Sequence, residues 1–99
     1  MLIVIGTVRL PPTSLEDARA IMSKMVIASR AEEGCLDYNF AEDLLDPGLI
    51  RVSEQWSGQS ALDRHLRSDH LKSWRSNWAA LGIIDRQLTV YSATGGTPT

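Results

Sequence analysis

The sequence has little of what several functional classes require. Its single cysteine, Cys35, cannot form an internal disulfide, so we expect a reducing compartment and a packed thiol. The net charge is -2 and basic residues are scattered among acidic ones, which argues against a nucleic-acid partner. The apolar opening MLIVIGTVRL is far shorter than the roughly 20 residues that cross a bilayer, and no basic leader or cleavage site accompanies it. We therefore expect a cytoplasmic protein with no membrane partner.

Length and composition predict one folded unit. The 99 residues are 43% hydrophobic and 22% charged, which are ordinary values for a globular chain of this size. Only the end, ATGGTPT, is poor in residues that could pack into a core. We predict a domain over residues 1–93 and a flexible tail over residues 94–99.

Hydrophobic periodicity predicts an alternation of strands and helices. The predicted elements are a strand at 2–10, a helix at about 14–32, strands at 35–44 and 49–57, a helical region that starts at 57–60, and a strand at 83–93. Thr13 with Glu16, and Ser60 with Asp63, have the spacing of capping boxes. Ser68 is expected to break the second helical region into two short helices.

The order βαββαβ predicts a ferredoxin-like α+β sandwich, in which a four-stranded antiparallel sheet carries its helices on one face. The second helix is expected to be split. The other face of the sheet mixes polar side chains with Ile3, Ile5 and Ala41, which is too apolar to stay bare. We therefore predict a homodimer that packs through this open sheet face.

Both histidines are expected to point toward the sheet. At about 100° per residue, His65 lies about 60° from the inward Leu62, and His70 lies about 40° from Trp74. Two histidines on one helix chelate a metal ion when they are three or four residues apart, but these two are five residues apart and a helix cap lies between them. No cysteine or second acid stands at a spacing that would complete a metal site. We therefore expect no metal site. The simpler alternative is that each histidine is a core or rim residue bonded to a carbonyl.

An acidic side chain is also expected among the buried positions. Glu54 lies on the helix-facing side of the third strand, where a carboxyl group needs an imidazole, tyrosine or tryptophan hydrogen as partner. Aromatic rings are predicted to share one cavity with it and with His65: Tyr38, Phe40, Trp56 and Trp74. Such a cavity suits a planar aromatic guest with a polar end. Trp78, at helical spacing from Trp74, is expected in the core.

These residues lie in phrases that resemble a known family. EEGCLDYNF, a following DPG turn, and SEQWSGQSALDRHLRSDHLKSW resemble the antibiotic biosynthesis monooxygenase domain over nearly the whole chain, nearest its quinol monooxygenase branch. The matching positions are Gly34, Cys35, Tyr38, Glu54, Trp56, Leu62, His65, Ser68 and His70. The resemblance implies a dimeric ferredoxin-like α/β barrel and oxygenation of hydroxylated aromatics without metal or flavin. SDH replaces the usual SPH. The haem-degrading branch has Trp at position 65 and His at position 75, where this chain has His65 and Arg75.

The chemistry implied is oxidation of a quinol or anthrone to a quinone by molecular oxygen, with no cofactor. His65 is the predicted base, because its ordinary pKa of about 6.5 lies near neutrality. Glu54 is expected to orient it or to bind the substrate hydroxyl. The predicted substrate-binding residues are Tyr38, Phe40, Trp56, His70 and Trp74. Two alternatives stay open: an isomerase of small phosphorylated dicarbonyls that uses the same acid and base, and a non-catalytic dimer that binds a small ligand.

Overall fold

The computed structural model describes residues 1–99 and confirms the ferredoxin-like sandwich. A single 3-10 turn, Pro12–Ser14, follows the first strand. The elements are, in chain order, β1 (Leu2–Arg9), α1 (Leu15–Arg30), β2 (Cys35–Glu42), β3 (Leu49–Trp56), α2 (Gln59–Leu66), α3 (Asp69–Ser76), α4 (Trp78–Leu81) and β4 (Asp85–Ser92). Residues 93–99 have no regular secondary structure. The domain boundary and the flexibility of the tail stay predictions.

The four strands form one antiparallel sheet in the order β2-β3-β1-β4. Val4 of β1 stands opposite Glu54 of β3 and Val90 of β4, so these three side chains share the face that the helices cover. The core lies between this face and the helices. Its buried members come from both layers and include Val8, Leu10, Met22, Met25, Ile50, Val52, Trp56, Leu62, Leu71 and Trp74.

A bulge in β2 corrects one expectation from the alternating pattern. The alternation of Leu36, Tyr38 and Phe40 in the sequence predicts that all three share the inner face, but Leu36 is 57% exposed. The register shifts between Cys35 and Asp37, so Leu36 has no partner in β3 and leaves the inner face. Beyond the bulge the alternation holds, and Tyr38 is buried.

The helical breaks fall where short polar side chains can replace helix hydrogen bonds. Ser68 accepts a bond from the amide of Leu71 (3.3 Å) and donates to the carbonyl of His65 (2.7 Å), which confirms the predicted cap between α2 and α3. A further break at Asn77, which the sequence did not predict, separates α4. The two predicted capping boxes do not form. The 3-10 turn replaces the first, and α2 begins after Gly58 without a side-chain cap.

The outer face of the sheet remains uncovered in the single chain. Ile5 is 53% exposed and Tyr91 is 54% exposed, and polar side chains such as Arg51 and Ser53 surround them. Every helix falls short of the length and hydrophobicity needed to cross a membrane.

Candidate active site

A small cavity lies between the inner face of the sheet and the helices α2 and α3. Its volume is about 140 Å³, and five of the predicted site residues line it. These residues are Tyr38, Phe40, Glu54, His65 and Trp74. Aliphatic side chains, among them Val4, Val52 and Leu62, supply most of the remaining wall. An apolar cavity of about 150 Å³ can hold a benzene ring, so this one fits a single aromatic ring.

His65 is a deeply buried titratable group that lines this cavity. It follows Ala61 and Leu62 on the inward face of α2 and is 2% exposed. Its ring lies 4.6 Å from that of Trp56 and 5.3 Å from that of Tyr38. Burial lowers the pKa of His65, and a hydrogen bond to Glu32 partly offsets this effect. The neutral imidazole, which can accept a proton, is therefore favoured.

Glu32 is the residue that the sequence interpretation missed. It lies in the turn after α1, where its Oε2 is 2.6 Å from Nδ1 of His65 and 2.9 Å from Nε2 of His70. A carboxylate can only accept hydrogen bonds, so Nδ1 of His65 must carry the ring proton. Nε2 then keeps its lone pair and has no hydrogen-bond partner in the protein. The sequence did offer one signal for this residue, because Glu32 is the first glutamate of the EEGC phrase that resembles the family pattern.

Glu54 is paired with tryptophan, one of the three kinds of partner expected for it from the sequence. Its Oε1 accepts a 2.9 Å hydrogen bond from the indole N–H of Trp56, and the residue is 4% exposed. Of the partners expected from the sequence, the structure pairs it with tryptophan and pairs His65 with Glu32 instead. Burial raises the pKa of Glu54, with the Trp56 bond acting in the opposite direction.

Two of the predicted substrate-binding residues stand outside the cavity. Trp56 is fully buried and does not line the cavity, but it contacts three residues that do, namely His65, Tyr38 and Glu54. His70 faces a separate hollow between α1 and α3. Their roles toward a substrate stay predictions.

Arg86 of β4 was not predicted and lines the same cavity. Its guanidinium carbon lies 5.4 Å from the ring centre of Trp78, an arrangement that holds the cation beside the wall. The cavity therefore combines an imidazole lone pair, a buried carboxyl group and one cation with aromatic and aliphatic walls. This set can withdraw a proton from a guest and stabilise the anion that results.

Comparison with known proteins identifies the family of this chain. The profile of the Antibiotic biosynthesis monooxygenase family matches residues 1–77, more than three quarters of the chain. The chain belongs to this family. Curated relatives include sll1783 of Synechocystis, 29% identical over 69 residues, and Rv0793 of Mycobacterium tuberculosis, described as a "putative monooxygenase", 32% identical over 65 residues. The matches cover 70% and 66% of this chain, but only 47% and 63% of those relatives.

Solved structures of the family share the whole architecture. A "putative antibiotic biosynthesis monooxygenase" from Deinococcus radiodurans superposes with a TM-score of 0.94 at 27% identity, covering 100% of this chain and 98% of its own. Rv0793 superposes with a TM-score of 0.85 at 27% identity and covers 98% of both chains. The family fold thus extends beyond residue 77 and includes β4, the strand that carries Arg86.

Proposed function

We propose that this protein is a cofactor-independent monooxygenase that oxidises a hydroxylated, single-ring aromatic of the quinol type with molecular oxygen. One observation carries the proposal. His65 lines a cavity walled by aromatic rings, its Nε2 has no hydrogen-bond partner in the protein, and Glu32 fixes the proton on the opposite ring nitrogen. The "monooxygenase" descriptions of relatives give independent support.

The reaction begins with proton removal. His65 takes the hydroxyl proton of the substrate, and the resulting anion is electron-rich enough to transfer an electron to oxygen. The two radicals combine at a ring carbon that carries hydrogen, and the peroxide anion takes the proton back from His65, which gives a hydroperoxide. Loss of water then leaves one oxygen atom as a carbonyl, so both oxygen atoms of O2 are accounted for: one in the quinone and one in water.

The polar groups around the cavity suit the anionic intermediate. Burial raises the pKa of Glu54, which favours its protonated form, and a protonated carboxyl group can donate a hydrogen bond to an oxyanion. Arg86 adds a positive charge at the wall of the cavity. The rings of Tyr38, Phe40 and Trp74 exclude water, which would otherwise compete for the anion.

Cavity size narrows the substrate class. A volume of about 140 Å³ admits one ring, whereas a three-ring anthrone would require α2 or β4 to move outward. We therefore favour single-ring quinols over the anthrones that the family resemblance also allows. We also propose that the protein acts in the cytoplasm, as the sequence predicts.

Oxygen uptake with a panel of phenols, single-ring quinols and anthrones tests the proposed activity. We expect a single-ring quinol to be consumed with equal uptake of O2, and labelled O2 to place one heavy atom in the quinone. Turnover that continues under argon would replace the proposal with the isomerase alternative. Neither turnover nor a thermal shift with any aromatic would leave only a binding or structural role.

We also propose that two copies pack through the open sheet face. Ile5 and Tyr91 are each about half exposed there, among polar groups able to pair across a twofold axis. We expect light scattering to give twice the chain mass, and Ile5→Glu to give the monomer mass. Ile27→Glu is the matched control, because Ile27 is 70% exposed on α1, away from the sheet. A wild-type monomer, or equal behaviour of both variants, contradicts this interface.

A further inference from the structure

We propose that Glu32, His65 and His70 form a binding site for one divalent transition-metal ion, on the Nδ1 side of the His65 ring. The three potential ligand atoms lie within 4.8 Å of one another. Two imidazole nitrogens and one carboxylate oxygen suit Zn²⁺, Co²⁺ or Fe²⁺, which accept mixed nitrogen and oxygen ligands. Spacing along the chain concealed this set, because the acid comes from the turn after α1 and not from the helices that carry the histidines.

The fold holds the two histidine ligands of the proposed site in place. Ser68 caps α3 and also bonds the carbonyl of His65, so the two histidines face each other across the break, with ring centres 5.8 Å apart. Metal–nitrogen and metal–oxygen bonds of about 2.0–2.2 Å would require the carboxylate to recede slightly and the two ring nitrogens to approach. His70 can supply most of this movement, because its side chain is 24% exposed and that of His65 is 3% exposed.

The hydrogen bonding of the cluster points to a ligand set. Orientation of His65 needs only one acceptor, yet a second imidazole is directed at the same oxygen of Glu32. One carboxylate oxygen thus accepts hydrogen bonds from two imidazole nitrogens, and the same two nitrogens could instead bind one metal ion together with that oxygen. The partly exposed side chains of Glu32 and His70, at 16% and 24%, give an ion access from solvent without passage through the substrate cavity.

Occupation of this site would reverse the tautomer of His65. Without an ion, the proton is on Nδ1 and faces Glu32. An ion bound at Nδ1 takes that lone pair, so the proton of the neutral ring moves to Nε2, and the ring of His70 likewise moves its proton from Nε2 to Nδ1. No proton is gained or lost. His65 then has no lone pair for the substrate, so the ion would inhibit, a consequence that rests on the proposed function.

Binding can be measured on the resting protein, without any substrate. We expect Co²⁺ to produce ligand-field bands in the visible spectrum with about one ion per chain, and Zn²⁺ to displace it. Glu32→Gln and His70→Gln should each weaken binding by at least about 100-fold. Glu33→Gln is the matched control, since it removes the same charge at the neighbouring exposed position and should bind normally.

Nitrogen NMR of the two histidine rings gives a second readout. Assignment is simple because the chain has only two histidines, and His70→Gln identifies the remaining one. We expect His65 to carry its proton on Nδ1 in the metal-free protein and on Nε2 with Zn²⁺. Absence of binding, or equal binding by the Glu32→Gln and Glu33→Gln variants, overturns the site. If the metal-free protein turns over no quinol but still binds the ion, the proposed function is rejected and the site stands.

Discussion

Replacing His65 with alanine is expected to lower the rate of oxygen uptake with a single-ring quinol by about 100- to 10,000-fold. A positioned general base contributes a factor of this size, and no other group on the cavity wall combines a free lone pair with a fixed tautomer. Initial rates in an oxygen electrode, at saturating quinol, measure the loss.

His65→Gln separates the chemical role from a structural one. Glutamine can still bond Glu32 and fills much of the same space, but it cannot accept the proton, so it should be as slow as alanine. Added imidazole should restore part of the rate to His65→Ala, which has room for it, and none to His65→Gln. Unchanged rates in both variants would remove His65 as the base.

Trp56→Phe is expected to destabilise the fold by about 3 kcal/mol at neutral pH. Trp56 is fully buried, and its indole N–H is the hydrogen-bond donor to Oε1 of Glu54. Phenylalanine leaves a void and also leaves a buried carboxyl oxygen without its donor. Urea unfolding, with the midpoint and slope compared between variants, gives the free-energy difference.

The deficit of Trp56→Phe should depend on pH. Burial raises the pKa of Glu54 in the folded protein above its ordinary 4.5. The stability that the protonated carboxyl group contributes is therefore fully present below pH 4.5 and is lost as pH rises through the folded pKa. Without the indole donor the folded pKa rises further, and the loss grows. Of the neighbouring charges, Arg86 lowers this pKa and Glu32 raises it; neither is altered by the substitution.

Glu54→Gln is the control for this second prediction. Its amide oxygen still accepts the indole hydrogen and carries no charge, so we expect stability at neutral pH to be kept or increased. In that background the Trp56→Phe deficit should become smaller and lose its pH dependence. A deficit that stays constant between about pH 5 and pH 8 would show that Glu54 does not titrate as the structure implies.

The fold was predictable because strand and helix periods are local properties of the sequence. β3 alternates buried and exposed side chains along its whole length, as its pattern indicates. The bulge at Leu36 was not predictable, because an inserted residue leaves the hydrophobic alternation of its own strand intact. Only the register with β3 reveals it.

The candidate site was predictable for the residues whose direction follows from their own helix or strand. Tyr38, Glu54 and His65 point inward for that reason, and the structure places them around one cavity. Glu32 could not be placed, because it lies in a turn without a periodic pattern and reaches His65 across 33 positions. Arg86 was missed because β4 is mostly exposed and gives a weak alternation.

The two helices that close the cavity are only eight residues long each. Isolated helices of that length are barely stable in water, so α2 and α3 persist because of what they pack against. Local opening of this segment would expose the hollow while the sheet stays intact. A ligand that binds only when α2 and α3 are folded over the cavity therefore stabilises these two helices by its binding free energy. Ligand binding and the local folding of this segment are then coupled equilibria.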